Sequence, residues 1–464
     1  MSDRAENCIL YVFDSLRYDA VAESDTETPA MDGLSENGVS LTNAWAQATW
    51  TYASSASIFS GLYPTAHGCH QYADSLTPEM PHLADRASKA DITSACFSTT
   101  YGVSPERGFE QAFDEFYHFG TDGDPTKPGL MEKLNDALLP WVEDHADDRF
   151  FVVVWAMGTH HPYLTPDDVD EPMAPVESHP DRDGTARSMQ ERPRTQVDTV
   201  RRHYKRAVSH SDEKLGELVD VLRDNGCYDD TEMVVTADHG EVFDEHARME
   251  FAHPLVKSVS SLLLPADTRR RLGLFEPSAF VGHQAIFPTD ELIHVPLIYK
   301  PGSDRWTDLD VDDEALVELV DLLPTVRASL GLDVPDAVQG ADMTSLLTDA
   351  PKRFVHSTTR IHGGPLTFQS VGDGEFKYIR KHLATSDFSR DHVERAIQSV
   401  INYLFGSRTL LLRDDSPVSD PAVEAELRTA LRKHNEDSRE VSFDGLRFEV
   451  DEDTKSALED LGYH

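Results

Sequence analysis

The stretch Cys8-Ile9-Leu10-Tyr11-Val12-Phe13-Asp14 is an unbroken run of apolar, aromatic and β-branched residues that stops at a carboxylate. Such a run reads as a strand buried on both faces, with Asp14 delivered at its carboxyl end. Phe150–Ala156 repeats the pattern and is followed by Gly158-Thr159-His160-His161-Pro162. Glu232–Thr236 repeats it again before Ala237-Asp238-His239-Gly240, and His294–Tyr299 is a fourth strand-like run. Helical spacing lies between them. Leu215, Leu218, Val219 and Leu222 mark one apolar face that stops at Asn225-Gly226, a favourable helix end. Leu316, Leu319, Val320 and Leu323 mark another, disturbed by Pro324. Strands alternating with helices predict an α/β fold of three layers, αβα, around a largely parallel central sheet. Ligands bind such sheets beyond the carboxyl ends of the strands. Asp14, His160 and Asp238-His239 all follow strand-like runs, so one active site is expected to collect them.

The chain of 464 residues accommodates one large domain and a smaller one. Residues 1–350 read as the catalytic α/β domain and 351–464 as a small α+β C-terminal subdomain. In the latter, Leu366–Val371 and Glu375–Arg380 flank Gly372-Asp373-Gly374, a hairpin signal. Residues 164–196 and 247–280 carry little periodicity and read as insertions, serving as lids, substrate walls or spacers.

The net charge is −41, and only 12 of the 42 basic residues are lysines. Acidic residues run along the whole chain, which resembles the surface of proteins from salt-in halophiles. This charge argues against nucleic acid as a partner. It argues little against a small anion, because in molar salt the Debye length shrinks to about 3 Å. Four cysteines without C-x-x-C spacing, Cys8, Cys69, Cys96 and Cys227, read as buried free thiols. No apolar stretch approaches the ~18 residues of a membrane span, and no long apolar leader opens the sequence. A cytoplasmic protein without stable membrane insertion is the default expectation.

Asp238-His239 sets a hard carboxylate beside an imidazole, a pairing suited to Zn²⁺ or Mn²⁺. Asp14 from a separate strand could converge on the same ion. Trp50-Thr51-Tyr52-Ala53-Ser54-Ser55-Ala56-Ser57 resembles a helix start, whose N-terminus favours an anion. A hydroxyl there could attack a tetrahedral centre beside a metal, or could simply cap the helix.

The order of these segments resembles the sulfatase family of the alkaline-phosphatase superfamily. Asp14-Ser15-Leu16-Arg17-Tyr18-Asp19 looks like the family's opening Asp-Thr-Leu-Arg-x-Asp. Trp50–Gly61 with Leu62–Gly68 is similar to its nucleophile helix and following turn. Gly108–Asp114, His160-His161-Pro162-Tyr163, Asp238-His239-Gly240-Glu241, Gly282-His283, Glu291–Ile298, Val320–Thr325 and Leu461-Gly462-Tyr463 continue the likeness in order. The resemblance implies that Asp14, Asp238 and His239 bind one divalent metal, Zn²⁺ or Mn²⁺ preferred and Ca²⁺ or Mg²⁺ acceptable. It makes Thr51 both ligand and nucleophile, and sets His160 and His283 against the substrate. His67, His70 and His161 are expected to be structural, and Arg17 to pair with a carboxylate. His253 competes with His283, but only His283 carries the flanking match.

Departures from the family pattern shape the chemistry. Thr51 stands where a formylglycine precursor would be, and Ser55 where its motif has Arg, so no formylglycine is expected. Ser15 replaces a second Asp. Ser98–Gly102 occupies a region that usually carries Lys, and His283 stands where another Lys might. Ala156 precedes His160 by four residues where two-metal relatives have Asp, which implies one metal. A threonine ester must be cleared by water attacking the central atom, which suits phosphorus better than sulfur. The expected activity is therefore hydrolysis of a small anionic ester, a phosphodiester, phosphonate monoester or sulfate ester. The alternatives are transfer of a phospho-alcohol group to a glycan or lipid, and a catalytically idle binding protein.

Overall fold

A computed structural model describes residues 4–22, 25–71, 73–85, 87–119, 129–166, 197–243, 245, 281–282, 287–306, 309–348, 352–360, 365–384, 403, 408–443 and 446–447. The two insertion segments fall almost wholly outside these residues. So do His253, His283 and the terminal Leu461-Gly462-Tyr463.

The main sheet has eight strands: β1 (Asn7–Phe13), β2 (Val39–Trp45), β3 (Thr93–Ser98), β4 (Glu115–His118), β5 (Phe150–Ala156), β6 (Thr231–Ala237), β7 (His294–Lys300) and β8 (Val317–Glu318). Their order is β8-β2-β7-β6-β1-β5-β3-β4. β1 lies at the centre, parallel to β5 and β6, and every residue of all three strands is buried. That two-sided burial is why their sequences are continuous apolar runs. The fourth strand-like run departs from the parallel expectation. β7 is antiparallel to both β6 and β2, so the segment entering it, and not the one leaving it, lies at the functional edge.

Helices cover both faces. Successive strand residues point to opposite sides. Tyr11 faces Asp212 and Glu217 of helix α4 (Val197–Asp224), which packs with α1 (Pro29–Glu36) and α3 (Leu130–Asp144). Cys8 faces the other way, towards Glu232, whose carboxylate takes a bond from Ser329 of helix α5 (Leu322–Ser329). Helix α2 (Thr51–Ser60) packs against α5 on that side. Among the described residues no helix is long and apolar enough to cross a membrane. The four cysteines are buried free thiols.

The apolar stripe at Leu215–Leu222 extends back to Val197, and Gly226 follows α4 with a left-handed φ of 73°. The second helical reading needs correction. Val317–Glu318 is strand, Leu319–Asp321 is a 3₁₀ turn, and α5 starts only at Leu322. Pro324 then lies in the first turn of α5, where its missing N–H costs nothing.

A second, antiparallel sheet follows: β9 (Val355–Arg360), β10 (Leu366–Gly372), β11 (Phe376–Leu383), β12 (Thr409–Arg413) and β13 (Ser416–Pro417). β10 and β11 form the expected hairpin around Asp373-Gly374. Helix α6 (Pro421–Glu440) lays Leu427 and Leu431 on Val371, Tyr378 and Leu411. This sheet is bonded to the main one beside the start of α2. Thr358 N donates to Gln47 O (2.8 Å), and Thr49 N to Thr359 Oγ1 (3.2 Å).

Helix α1 is capped from a distance. Thr28 makes no side-chain cap, and Asp212 instead accepts from Ala30 N (2.8 Å) and Met31 N (2.9 Å). Burial raises its carboxyl from 3.8 to about 6, against the two amide bonds that lower it. The proton-linked part of its contribution to stability is therefore full below pH 3.8 and is lost as pH rises through about 6, while the two amide bonds remain. Asp212→Ala is expected to cost about 1–3 kcal/mol in denaturant unfolding. Asp212→Asn should flatten the pH dependence of stability across that interval.

Candidate functional site

β-pairing continues one residue past each strand and fixes the two carboxylates. Asp14 N donates to Ala156 O (2.9 Å), and Asp238 N to Phe13 O (3.2 Å). The loop after β5 is fastened to the same place by Thr159 Oγ1, 2.6 Å from Asp14 O. Helix α2 is fastened by Ser54 Oγ, 2.5 Å from Asp238 O. Thr51, the first residue of α2, is thereby held over the gap between β1 and β6.

The result is a compact buried cluster. Asp14, Thr51, Asp238 and His239 are all fully enclosed. Thr51 Oγ1 lies 3.4 Å from Asp14 Oδ1, 3.2 Å from Asp14 Oδ2 and 3.2 Å from His239 Nε2. His239 Nε2 is 3.7 Å from Asp14 Oδ1 and 3.6 Å from Asp238 Oδ2. Ligand atoms of Asp14, Asp238 and His239 all fall within 4.8 Å of one another.

Several features fit this set to a divalent cation. Asp238 Oδ1 accepts from Ser15 N (3.1 Å) and His239 N (2.8 Å), whereas Oδ2 is buried with no hydrogen-bond donor among the described residues. His239 Nδ1 is 2.7 Å from Gly240 O, which can only accept. The ring proton therefore sits on Nδ1, and the Nε2 lone pair faces the cluster. The spacings of 3.2–3.7 Å approximate the ~3.4 Å ligand separation of a tetrahedral ion with bonds of ~2.1 Å. Burial, then the charge of Asp14, pushes the Asp238 carboxyl well above its ordinary range. A cation would remove that penalty.

The surrounding residues sort themselves by what they touch. His160 is buried in the loop tied to Asp14, with Nδ1 2.6 Å from His161 O. His67 accepts from Cys69 N at Nδ1 and bonds Ser57 Oγ through Nε2. Burial holds it neutral, at about 3, as a structural residue. Arg17 pairs with Asp19 (2.5 Å) and Glu245 (3.0 Å), as expected. His283 lies outside the described residues.

Sequence reading missed two supports. Arg107 is fully buried and, among the described residues, donates only to backbone carbonyls: Tyr52 (3.3 Å), Asp74 (2.9 and 3.1 Å) and Gly102. It ties the residue after Thr51 to the segment Ser98–Gly102. Tyr204 of α4 bonds the turn after Asp14. It continues the apolar stripe of that helix, which in sequence marks it only as core.

Gly102 fits closely against the candidate nucleophile. A Cβ there would come within 2.6 Å of Thr51 Cγ2 and 3.3 Å of Thr51 Cβ. Gly102→Ala is expected to lose about 1–3 kcal/mol by overpacking. Thr51→Ser removes the opposing methyl, so the double variant should recover part of that loss, with a coupling of about 1 kcal/mol in a double-mutant cycle.

A family model described as Sulfatase matches residues 6–332. The low-salt glycan biosynthesis sulfotransferase of Haloferax volcanii is 26% identical over 251 residues, 53% of this chain and 49% of that protein. The arylsulfatase of Clostridium perfringens is 22% identical over 444 residues, covering 80% of this chain and 83% of the relative. The chain spans about half of the first of these relatives. The solved phosphonate monoester hydrolase of Silicibacter pomeroyi superposes with a TM-score of 0.64 at 17% identity, over 94% of this chain and 95% of that one. A 2-O GAG sulfatase superposes with 0.63 at 14% identity, over 96% and 95%.

Proposed function

Because the chain belongs to the Sulfatase family, we propose that it hydrolyses small anionic esters at one divalent metal ion, with Thr51 as the nucleophile. The observation that carries this reading is the position of Thr51 Oγ1 at the start of α2, within 3.4 Å of the Asp14 carboxylate and His239 Nε2. Asp14, Asp238, His239 and Thr51 would hold the ion. A bound divalent ion would polarise the ester and lower the pKa of the Thr51 hydroxyl.

The residues then divide the work. The single proton of Thr51 Oγ1 has the Asp14 carboxylate as its acceptor, 3.2 Å away at Oδ2, which leaves the Oγ1 lone pairs for the ion and the ester. Oγ1 attacks the central phosphorus or sulfur as its proton passes to the Asp14 carboxylate. A bond from Oγ1 to that atom forms as the bond to the leaving alcohol oxygen breaks. The departing oxygen takes a proton, for which His160 and His283 are the proposed donors. Water next attacks the central atom of the threonine ester, giving a proton back to the histidine that protonated the leaving alcohol, and Thr51 is released with its proton returned from Asp14. The backbone N–H groups in the first turn of α2 would favour the anion throughout. Thr51 is fully enclosed in this structure, so an ester reaches it only after neighbouring groups move.

Phosphodiesters or phosphonate monoesters are the preferred substrates, because a threonine ester is cleared more readily at phosphorus. Transfer to an acceptor alcohol in place of water is the second reading. The name of the Haloferax volcanii relative, a sulfotransferase, favours it.

Aryl sulfate, phosphate mono- and diester and phosphonate esters, compared in molar salt, test the assignment. Thr51→Ala should lower kcat by about a thousandfold or more on any ester turned over. An unchanged rate sinks the mechanism. Product capped by an added alcohol identifies transfer. Chelation should lower Tm, and one divalent ion per chain should restore it; a Tm indifferent to both would rule out the metal site.

A further inference from the structure

We propose that the Tyr204 hydroxyl is a positioning group for the metal site, acting through the left-handed turn at Ser15. This inference rests on reading Asp14, Asp238 and His239 as metal ligands.

Ser15 has a φ of 66°, a conformation that non-glycine residues seldom adopt. Its strain is tied to the cluster on two sides. In this conformation its backbone N–H points at Asp238 Oδ1 (3.1 Å), and its Oγ lies 3.0 Å from Asp14 Oδ1. One residue therefore orients both carboxylates. The N–H bond is the more consequential. It occupies Oδ1 of Asp238 and leaves Oδ2 as the atom directed at the cluster.

The turn is held from outside by one phenol. Tyr204 OH donates to Ser15 O (2.8 Å) and accepts from Arg17 N (2.8 Å). These two groups flank Leu16, so the hydroxyl closes the turn as a clasp. Tyr204 is itself rigid. It sits on the long helix α4, is buried, and packs its ring against Tyr163 (5.3 Å between centroids) and Phe243 (4.9 Å). Without the hydroxyl, Ser15 can relax towards ordinary φ values. Its N–H then turns away from Asp238, and the carboxylate loses the bond that sets its rotation. Outer groups of this kind orient the ligand and do not touch the ion.

Tyr204→Phe keeps the ring packing and removes only the clasp. Titration calorimetry with Mn²⁺ or Zn²⁺ alone, in molar salt, should show affinity reduced about 10- to 100-fold relative to wild type. The far-UV spectrum and the thermal midpoint of the metal-free protein should stay close to wild type. Tyr299→Phe, another buried phenol on the far side of β6, should bind metal like wild type. Ser15→Val attacks the same turn without disturbing α4, because a β-branched residue resists positive φ, and should weaken binding in the same range. It also carries the test if Tyr204→Phe does not fold. Wild-type affinity in a folded Tyr204→Phe protein, or in Ser15→Val where that is the only folded variant, overturns the clasp and leaves the metal site standing. A wild-type protein that binds no divalent ion overturns both.

Discussion

Two carboxylates and an imidazole are enclosed together at the end of the central strands, and the fold is arranged around that fact. Burial first, and then the like charge of Asp14, pushes Asp238 towards its neutral form. A pair like this persists only if hydrogen bonds, together with a proton or a counter-charge, meet its charge. The hydrogen bonds are present. Ser15 N and His239 N take one oxygen of Asp238, and Ser15 Oγ takes one oxygen of Asp14. The oxygen of Asp238 that lacks a donor among the described residues is the one near His239.

That requirement reaches into the neighbouring helix. Every residue of α2 is buried, although four of its ten are serines. Small hydroxyl side chains let the helix approach the sheet closely, and three of the four serines satisfy themselves there, Ser55 Oγ having no partner among the described residues. Ser54 bonds Asp238 O, Ser57 bonds His67, and Ser60 bonds back to Ala56 O. Arg107 completes the enclosure from the other side without an ion-pair partner among the described residues, holding carbonyls of Tyr52, Asp74 and Gly102. A buried guanidinium that spends its donors on backbone organises three segments at once.

The second sheet joins the same neighbourhood through a buried polar seam. Glu318 at the end of β8 accepts from Tyr63 OH (2.7 Å), His356 N (2.7 Å) and Arg353 Nη2 (3.1 Å). Asp321 pairs with Arg353 at 2.6 Å. Burial, partly opposed by Arg353, raises the Glu318 carboxyl to about 7. Groups removed from water this completely are tolerated only when each is bonded. The seam therefore fixes where β9 meets the residues leading into Thr51.

The sequence by itself determined the parts whose signal is local. Runs such as Phe150–Ala156 are apolar because both faces of their strands are covered, so they are legible without neighbours. Asp14, Asp238 and His239 were legible as candidates because they follow such runs. The Asp373-Gly374 turn was legible from turn chemistry alone. Tertiary structure decided the rest. β7 runs against its neighbours, and nothing in His294–Tyr299 states direction, because both directions bury the same face. Val317–Asp321 looked helical from spacing, but pairing with β2 overrode it. Tyr204 and Arg107 read as ordinary core or surface residues, because their roles depend on carbonyls supplied by segments remote in sequence. Distances of 3.2–3.7 Å among Thr51, Asp14, Asp238 and His239 exist only once β1, β6 and α2 meet. Residue types and their order are written in the chain, whereas the separations that make them a site arise from packing between segments as remote in sequence as those of Asp14 and His239.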